Sequence, residues 1–534
     1  MTATVFQINK KSGIKYAYKS ISYWDKQKKQ SRSKRTCIGR VDSETGEIIP
    51  TRKKKKLSNK TQENTETGSL SPYLRKFYGA TYLFNEIGKQ TGVIDDLRAC
   101  FPDHYHQLLS IAYYLILEDR NPLSRFPHWA ILHEHPYGNT ISSQRSSDLF
   151  SGITEDAKQH FFKKQGNRRA EKEYLAYDST SISSYSAKLR QVRYGKNKEH
   201  DRLPQLNLTL LFGQNSQLPF YYRKLPGNIT DVKTLRKLIF DMNELGYSKI
   251  KVVLDRGFYS AENINDMYRH HMKFLIGGKV SLKLIKNHLN IIREGMRDWK
   301  YYNPDTQLYM RTLPISWTYE QPGRFKKDIK ADRRMYLHFY FSPEKALEDE
   351  KMFHERLSQW QDELINGQQN PENEKFYKKY FDFKTTPVRG TKVSAKEKAL
   401  GDARRDYGYF VLMSNDIKDP STALTLYRSK DCVEKAFENI KDRLNLRRVA
   451  VSSERSLDGK LFVQFLALIF LSFITKKMKD ANLFKIYTLQ QVLDELDLIE
   501  CFSSPGKPLH IGEITKKQLA IYSAFDIDPP ASLQ

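Results

Sequence analysis

The chain has 534 residues, enough for three or four domains, and its 39% hydrophobic and 12% aromatic content excludes global disorder. Lys and Arg number 89 against 62 Asp and Glu, a surplus of 27 that favours a polyanionic partner through counterion release. Cys37, Cys100, Cys432 and Cys501 form no CxxC pair, so neither a zinc finger nor a disulfide framework finds support.

Residues 1–60 hold 17 Lys or Arg against 4 Asp or Glu, about half the total surplus. The opening MTATVFQINKKSGIKY lacks the apolar stretch of a signal peptide, so a cytoplasmic location is expected. GIKYAYKSISYW and SKRTCIGRV alternate and a turn follows at DSETGE, which predicts a small antiparallel module with its basic side chains on one face. RKKKKLSNKTQENTETGSLSP is polar and aperiodic, and a linker is placed at 61–71. Its lysines read either as a solvated tether or as phosphate contacts.

From 72 to 170 apolar residues recur at helical spacing, as in HYHQLLSIAYYLILEDR. Such a helical domain either reads DNA or braces the core. The rhythm then changes. EYLAYDSTSIS, LNLTLLF and LPFYYRKL predict three strands, DVKTLRKLIFDMNELG a helix capped by Asp231, and KIKVVLDRG a fourth strand. SAENINDMYRHH and KFLIGG continue as helix and strand. The basic loop RYGKNKEHDR offers His200, either a DNA contact or a plain surface histidine. Residues 281–405 lose this pattern and read as an insertion, where Trp299 and Trp317 either stack on a base or fill the insertion's own core. YGYFVLMSN resumes the strands, and 420–445 predicts one long helix. LFVQFLALIFLSFI is shorter than the roughly 20 residues of a membrane span and reads as a buried core helix. Residues 481–534 are left for dimerisation.

Two acids end apolar strands: Asp178 in YLAYDST and Asp255 in KVVLDRG. Carboxyl ends of strands are where open α/β sheets place their sites, although a helix cap or loop acid would look the same. Tyr427, Lys430, Glu434 and Lys441 are spaced by 3, 4 and 7 residues. At about 100° per residue they fall within roughly 60° on one helix face. That stripe is either a solvated face or a carboxylate flanked by phosphate-holding groups. Glu438 lies on nearly the same face and rivals Glu434.

In these residues the chain resembles bacterial insertion-sequence transposases of the acidic-triad class, whose helix signature is Tyr-x2-Arg-x3-Glu-x6-Lys. Tyr427, Glu434 and Lys441 match it, with Lys430 where the family has Arg. Asp178-Ser179-Thr180, the GNITD loop and LDRGFYS also resemble the family, over about residues 70–480. The resemblance implies a ribonuclease H-like mixed α/β core from 171–280 and 406–480, with a β-rich insertion at 281–405. The 179 positions between Asp255 and Glu434 leave room for it.

It further implies that Asp178, Asp255 and Glu434 are the catalytic, metal-holding acids. Two Mg2+ ions, or Mn2+ in their place, would suit three such carboxylates. Tyr427, Lys430 and Lys441 would hold DNA, while Arg256 would touch phosphate or pair with the acids. The expected activity is transposition by hydrolysis at the element's inverted repeats and joining of the 3′-OH to double-stranded target DNA. The expected assembly is a homodimer in the bacterial nucleoid, without a membrane. A metal-dependent nuclease, or a DNA-binding protein without catalysis, stands as the alternative on the same fold.

Overall fold

The computed structural model describes residues 2–8, 14–25, 30–42, 45–49 and 74–531, apart from 120, 187, 199–201, 323–327, 387–389, 447, 450, 452 and 504–508. The 61–71 linker, the RKKKK run and His200 lie outside the described residues. Two units separate, Met1–Leu70 and Ser71–Gln534.

In the first unit β1 (Thr2–Ile8), β2 (Lys15–Asp25), β3 (Gln30–Val41) and β4 (Ile48–Ile49) form an antiparallel meander. β2 and β3 are the two expected strands, and the DSETGE turn closes with Asp42 N donating to Glu47 O at 2.9 Å. The basic side chains are not gathered on one face. Lys19 stands opposite Thr36, whereas its neighbour Ser20 stands opposite Arg35, so Lys19 and Arg35 project to opposite sides.

The second unit opens with β5 (Leu74–Phe77) and six helices: α1 (Gly79–Gln90), α2 (Val93–Cys100), α3 (Tyr105–Leu117), α4 (Phe126–Leu132), α5 (Ser143–Gly152) and α6 (Glu155–Asn167). The central sheet follows as β6 (Tyr174–Ser184), β7 (Gln205–Gly213), β8 (Pro219–Pro226), α7 (Asp231–Glu244), β9 (Lys251–Leu254), α8 (Ala261–Arg269) and β10 (Lys273–Gly278). After α9 (Lys283–Ile292) come β11 (Tyr302–Asn303), β12 (Leu308–Pro322) and β13 (Asp328–Phe341). These strands join the same sheet, in the order β11-β12-β13-β16-β10-β9-β6-β7-β8, where β16 is Tyr409–Ser414. β6, β9 and β10 run parallel and their flanking neighbours antiparallel, giving a mixed sheet in a mixed α/β fold.

The 281–405 segment is therefore not a β-rich insertion standing apart. Its long hairpin widens the central sheet, because β13 pairs with β16. The remainder is α10 (Pro343–Ile365), α11 (Glu374–Tyr380) and α12 (Glu397–Arg404) around a hairpin of β14 (Phe381–Thr386) and β15 (Gly390–Ala395). Trp360, Leu364, Tyr377, Tyr380, Phe381 and Leu400 form its own core. Trp317 packs half-buried on the main core and donates to Asn265 Oδ1 at 2.9 Å. Trp299 fills no core: it is 80% exposed and stacked on Tyr302.

The chain closes through α13 (Pro420–Arg428), α14 (Asp431–Glu438), β17 (Arg448–Val449), α15 (Glu454–Asp480), α16 (Leu489–Asp497), β18 (Glu500–Ser503), β19 (His510–Ile511) and α17 (Lys516–Ala524). α15 is long and apolar enough to cross a membrane, yet 83% of its apolar window is buried inside the fold. The described residues of 481–531 complete the N-terminal helical layer. β18 pairs with β5, Tyr522 Oη donates to Gly79 O at 2.8 Å, and His133 meets Asp497 at 2.9 Å.

At Gly459 α15 presses on α5 so closely that an added Cβ would come within 2.2 Å of the Phe150 carbonyl oxygen. Gly459→Ala is expected to cost about 1–3 kcal/mol by overpacking, read as a lowered Tm. His338, fully buried on β13, donates from Nε2 to Ile417 O and accepts at Nδ1 from Thr312 Oγ1. Burial depresses its pKa from 6.5 to about 4, against a smaller upward pull from the Ile417 carbonyl. Above pH 6.5 both states hold the neutral ring, so nothing is lost. Between pH 6.5 and 4 the unfolded chain takes a proton the folded one refuses, and stability falls by about 3 kcal/mol. Urea titrations at pH 7 and pH 4.5 should show that loss, and His338→Gln should reduce it.

Candidate active site

The site begins with a register. β6 pairs with β9 in parallel, Tyr177 opposite Leu254, so the next residue of each is an acid at the same level. Asp255 follows the end of β9 as expected, whereas Asp178 lies inside β6, which runs on to Ser184, and does not end its strand. Strand alternation puts Tyr177 and Leu254 on one face and Asp178 and Asp255 on the other. The first face meets α7, where Tyr177 Oη donates to Thr234 O. α13 and α14 cover the second.

The third element is not the single helix expected over 420–445. α13 starts at an Asp419 cap that accepts from Thr422 N at 2.7 Å, and ends at Arg428. A tight joint follows, in which Lys430 N bonds to Tyr427 O and Val433 N to Lys430 O, both three residues back. α14 then runs into a π turn at Asn439–Arg443, where Leu444 N bonds to Asn439 O. The uniform 100° stripe is thus broken twice. Three-residue winding at the joint nevertheless sets Tyr427 over Lys430, with Glu434 one α-turn further on.

These side chains meet the strand acids. Tyr427 Oη donates to Asp255 Oδ1 at 2.8 Å. Lys430 Nζ lies 3.5 Å from Asp255 Oδ1, 3.5 Å from Glu434 Oε1 and 5.6 Å from the Tyr427 ring centroid. Lys430 is 8% exposed, and such burial of an ammonium requires these partners. Arg256 is exposed beside Asp255, whose carboxylate takes a hydrogen bond from the Arg256 backbone. A cleft of about 260 Å³ opens against Asp178, lined also by Ser179, Lys198, Glu434, Glu438 and Lys441. Asp178, Glu434 and Lys441 share this cleft with the rival Glu438, while Asp255 joins them through Lys430.

The two strand acids differ electrostatically. Burial raises the Asp178 carboxyl above its ordinary value, Asp231 adds to the rise, and Lys198, the Ser179 backbone and Lys430 offset only part. Burial pushes Asp255 up as well, but Lys430, the Tyr427 hydroxyl and the Arg256 backbone outweigh it and hold Asp255 low. The Tyr427 phenol is driven well up by burial and by Asp255, so it is a neutral donor.

Two residues here, Asp231 and Lys198, were not assigned to the site from sequence. Asp231 was expected to cap α7, but Thr230 occupies the cap position and Asp231 turns away to accept from Ser179 Oγ. Lys198 donates to Ser179 O at 2.6 Å and Ser179 Oγ at 3.0 Å, and lies 3.4 Å from Asp231 and 3.8 Å from Asp178. Only the basic loop RYGKNKEHDR hinted at Lys198, because its side-chain partners lie 19 and more residues away.

Among the described residues, no three Asp, Glu, His or Cys side chains are gathered closely enough to form a ready ligand set. Asp178, Asp255 and Glu434 are nonetheless all-oxygen donors of the kind a hard divalent cation takes. Lys430 stands as the positive charge that Asp255 and Glu434 share. Lys430→Met should lower stability by about 1–2 kcal/mol in chelator, by leaving the acids unpaired. Added Mg2+ should then raise the variant's Tm more than the wild type's. An equal rise in both proteins would show that the acids need no shared cation.

No curated protein matches the chain. Among solved structures it is similar to piggyBac transposase in its synaptic complex with hairpin DNA, with 10% identity and a TM-score of 0.34 over 78% of this chain and 70% of that one. A family model described as the transposase DDE domain matches residues 169–470, which span β6, β9 and α14 with all three acids. The chain belongs to the transposase DDE domain family.

Proposed function

We propose that this chain binds the inverted repeats ending its own insertion sequence, hydrolyses phosphodiester bonds there, and joins the freed 3′-OH to target DNA. Asp178, Asp255 and Glu434 are its catalytic acids on a ribonuclease H-like core, in the Tyr-Arg-Glu-Lys group of bacterial transposases. The observation that carries this reading is the pairing of β6 with β9, which sets two acids level on the face covered by the Glu434 helix.

Divalent cations, Mg2+ or Mn2+, held by Asp178, Asp255 and Glu434 would neutralise phosphate charge and activate the attacking oxygen. Tyr427 fixes the Asp255 carboxylate through its 2.8 Å hydrogen bond. Its phenol, kept protonated by burial and that acid, serves as a hydrogen-bond donor. Lys430, Lys441 and exposed Arg256 supply positive charge for the DNA backbone around the acids. The working assembly is a homodimer on double-stranded DNA in the bacterial cytoplasm, and α15 serves as a core helix with no membrane role.

Asp178→Asn, Asp255→Asn and Glu434→Gln should each lower cleavage of end DNA by about 10³-fold or more while end binding changes by less than about threefold. Glu438→Gln should remain active. The opposite outcome for the Glu434 and Glu438 variants would move the third acid. Strand transfer from pre-cleaved ends separates transposition from simple nuclease action.

A further inference from the structure

We propose that Lys198 is a catalytic residue, whose ammonium grips a non-bridging oxygen of the phosphodiester drawn into the cleft, with Ser179 and Asp231 as its positioning residues. The inference rests on the catalytic reading of Asp178 above. The ammonium has three hydrogens. Two go to the carbonyl and hydroxyl oxygens of Ser179. The Ser179 hydroxyl spends its own hydrogen on Asp231, which turns its lone pairs toward Lys198. The third ammonium hydrogen has only the longer contacts to Asp231 and Asp178, at 3.4 and 3.8 Å, and is the one left for a ligand.

A flexible side chain is useful here only if its backbone is fixed, and residues 193–198 are clamped. Arg193 and Gln205 exchange backbone hydrogen bonds at 2.8 and 2.9 Å. Gln205 Nε2 donates to Lys196 O, Asn197 Nδ2 to Ser183 Oγ, and Lys198 N to Ser181 Oγ. Gly195 lies so close to the GNITD loop that an added Cβ would come within 2.1 Å of Gly227 O. Lys198 ends 38% exposed at a cleft whose other lining groups include Asp178, Glu434 and Glu438. A phosphodiester entering there meets like charge, and a fixed cation beside Asp178 offsets it. No proton moves in this role: the lysine stays an ammonium and donates a charge-assisted hydrogen bond.

The test uses full-length protein and duplexes carrying the element's own end, with either a phosphodiester or an uncharged methylphosphonate at the scissile position. Lys198→Met should slow cleavage of the phosphodiester about 10²-fold, and Lys198→Arg should recover part of that rate. On the methylphosphonate the two proteins should differ less than about threefold, because the charged partner is gone. In an Asp255→Asn background with Mg2+, Lys198→Met should reduce the slope of log binding constant against log salt by about 0.9, one phosphate contact. Lys198→Gln, which can still bond to Ser179, replaces the Met variant if that variant fails to fold. An equal defect on both backbones with an unchanged slope would overturn the proposal and leave Lys198 as a brace for Asp178. Wild-type rates in the Lys198 variants alongside a dead Asp178→Asn would overturn this inference alone. Cleavage by Asp178→Asn would overturn the catalytic reading beneath it.

Discussion

The parallel pairing of β6 with β9 is the constraint from which the site follows. Strand side chains alternate with a period of two, so a slip of one residue would send one acid to the α7 face and leave the other beneath α13 and α14. Tyr177 and Leu254 hold the register because both are buried and both point to the α7 side. The apolar layer beneath therefore decides where the polar residues above it lie. β9 ends at Leu254, and β17 takes the same edge of β6 only from Ser183 onward. On that edge Asp178 lies between these two partners, while its other edge pairs with Leu210 of β7.

Bringing carboxylates to one place costs free energy through desolvation and mutual repulsion, and the fold offsets this with lysines from other segments. Lys430 serves Asp255 and Glu434, while Lys198 serves Asp178 and Asp231. The outcomes are unequal. Asp255 has Lys430, Tyr427 and a backbone donor and is held low, whereas Asp178 is more deeply buried and stays raised. One strand acid is thus already balanced by Lys430, while the acid that lines the cleft is held above its ordinary value by burial.

Strand acids were legible in the sequence because each closes an apolar run, and the N-terminal helices because their periodicity is strong. What escaped was non-local. Asp231 in sequence is indistinguishable from a helix cap, and distant partners, Ser179 52 residues away and Lys198, draw it elsewhere. The 481–534 region reads as a dimerisation region because nothing local reveals that β18 pairs with β5 across more than 400 residues. The helices of 281–405 were legible and overlooked. Phe353, Leu357, Trp360 and Leu364 follow helical spacing on α10, but abundant Lys and aromatic residues around them obscured it. The break at Ser429–Lys430 carries no Gly or Pro mark, so good helix formers hid a joint set by tertiary contacts.

That joint also gives a lysine at position 430 a structural logic. A guanidinium is planar and grips one carboxylate or phosphate with a fork, whereas an ammonium is a compact point charge. The position between Asp255 and Glu434 is narrow: the lysine is 8% exposed, sits 3.5 Å from each acid and lies beneath the Tyr427 ring. A compact charge divides itself equally between two acids. Lys430 therefore works by holding two acids together, and the neighbouring cleft carries cations of its own, Lys441 and Lys198.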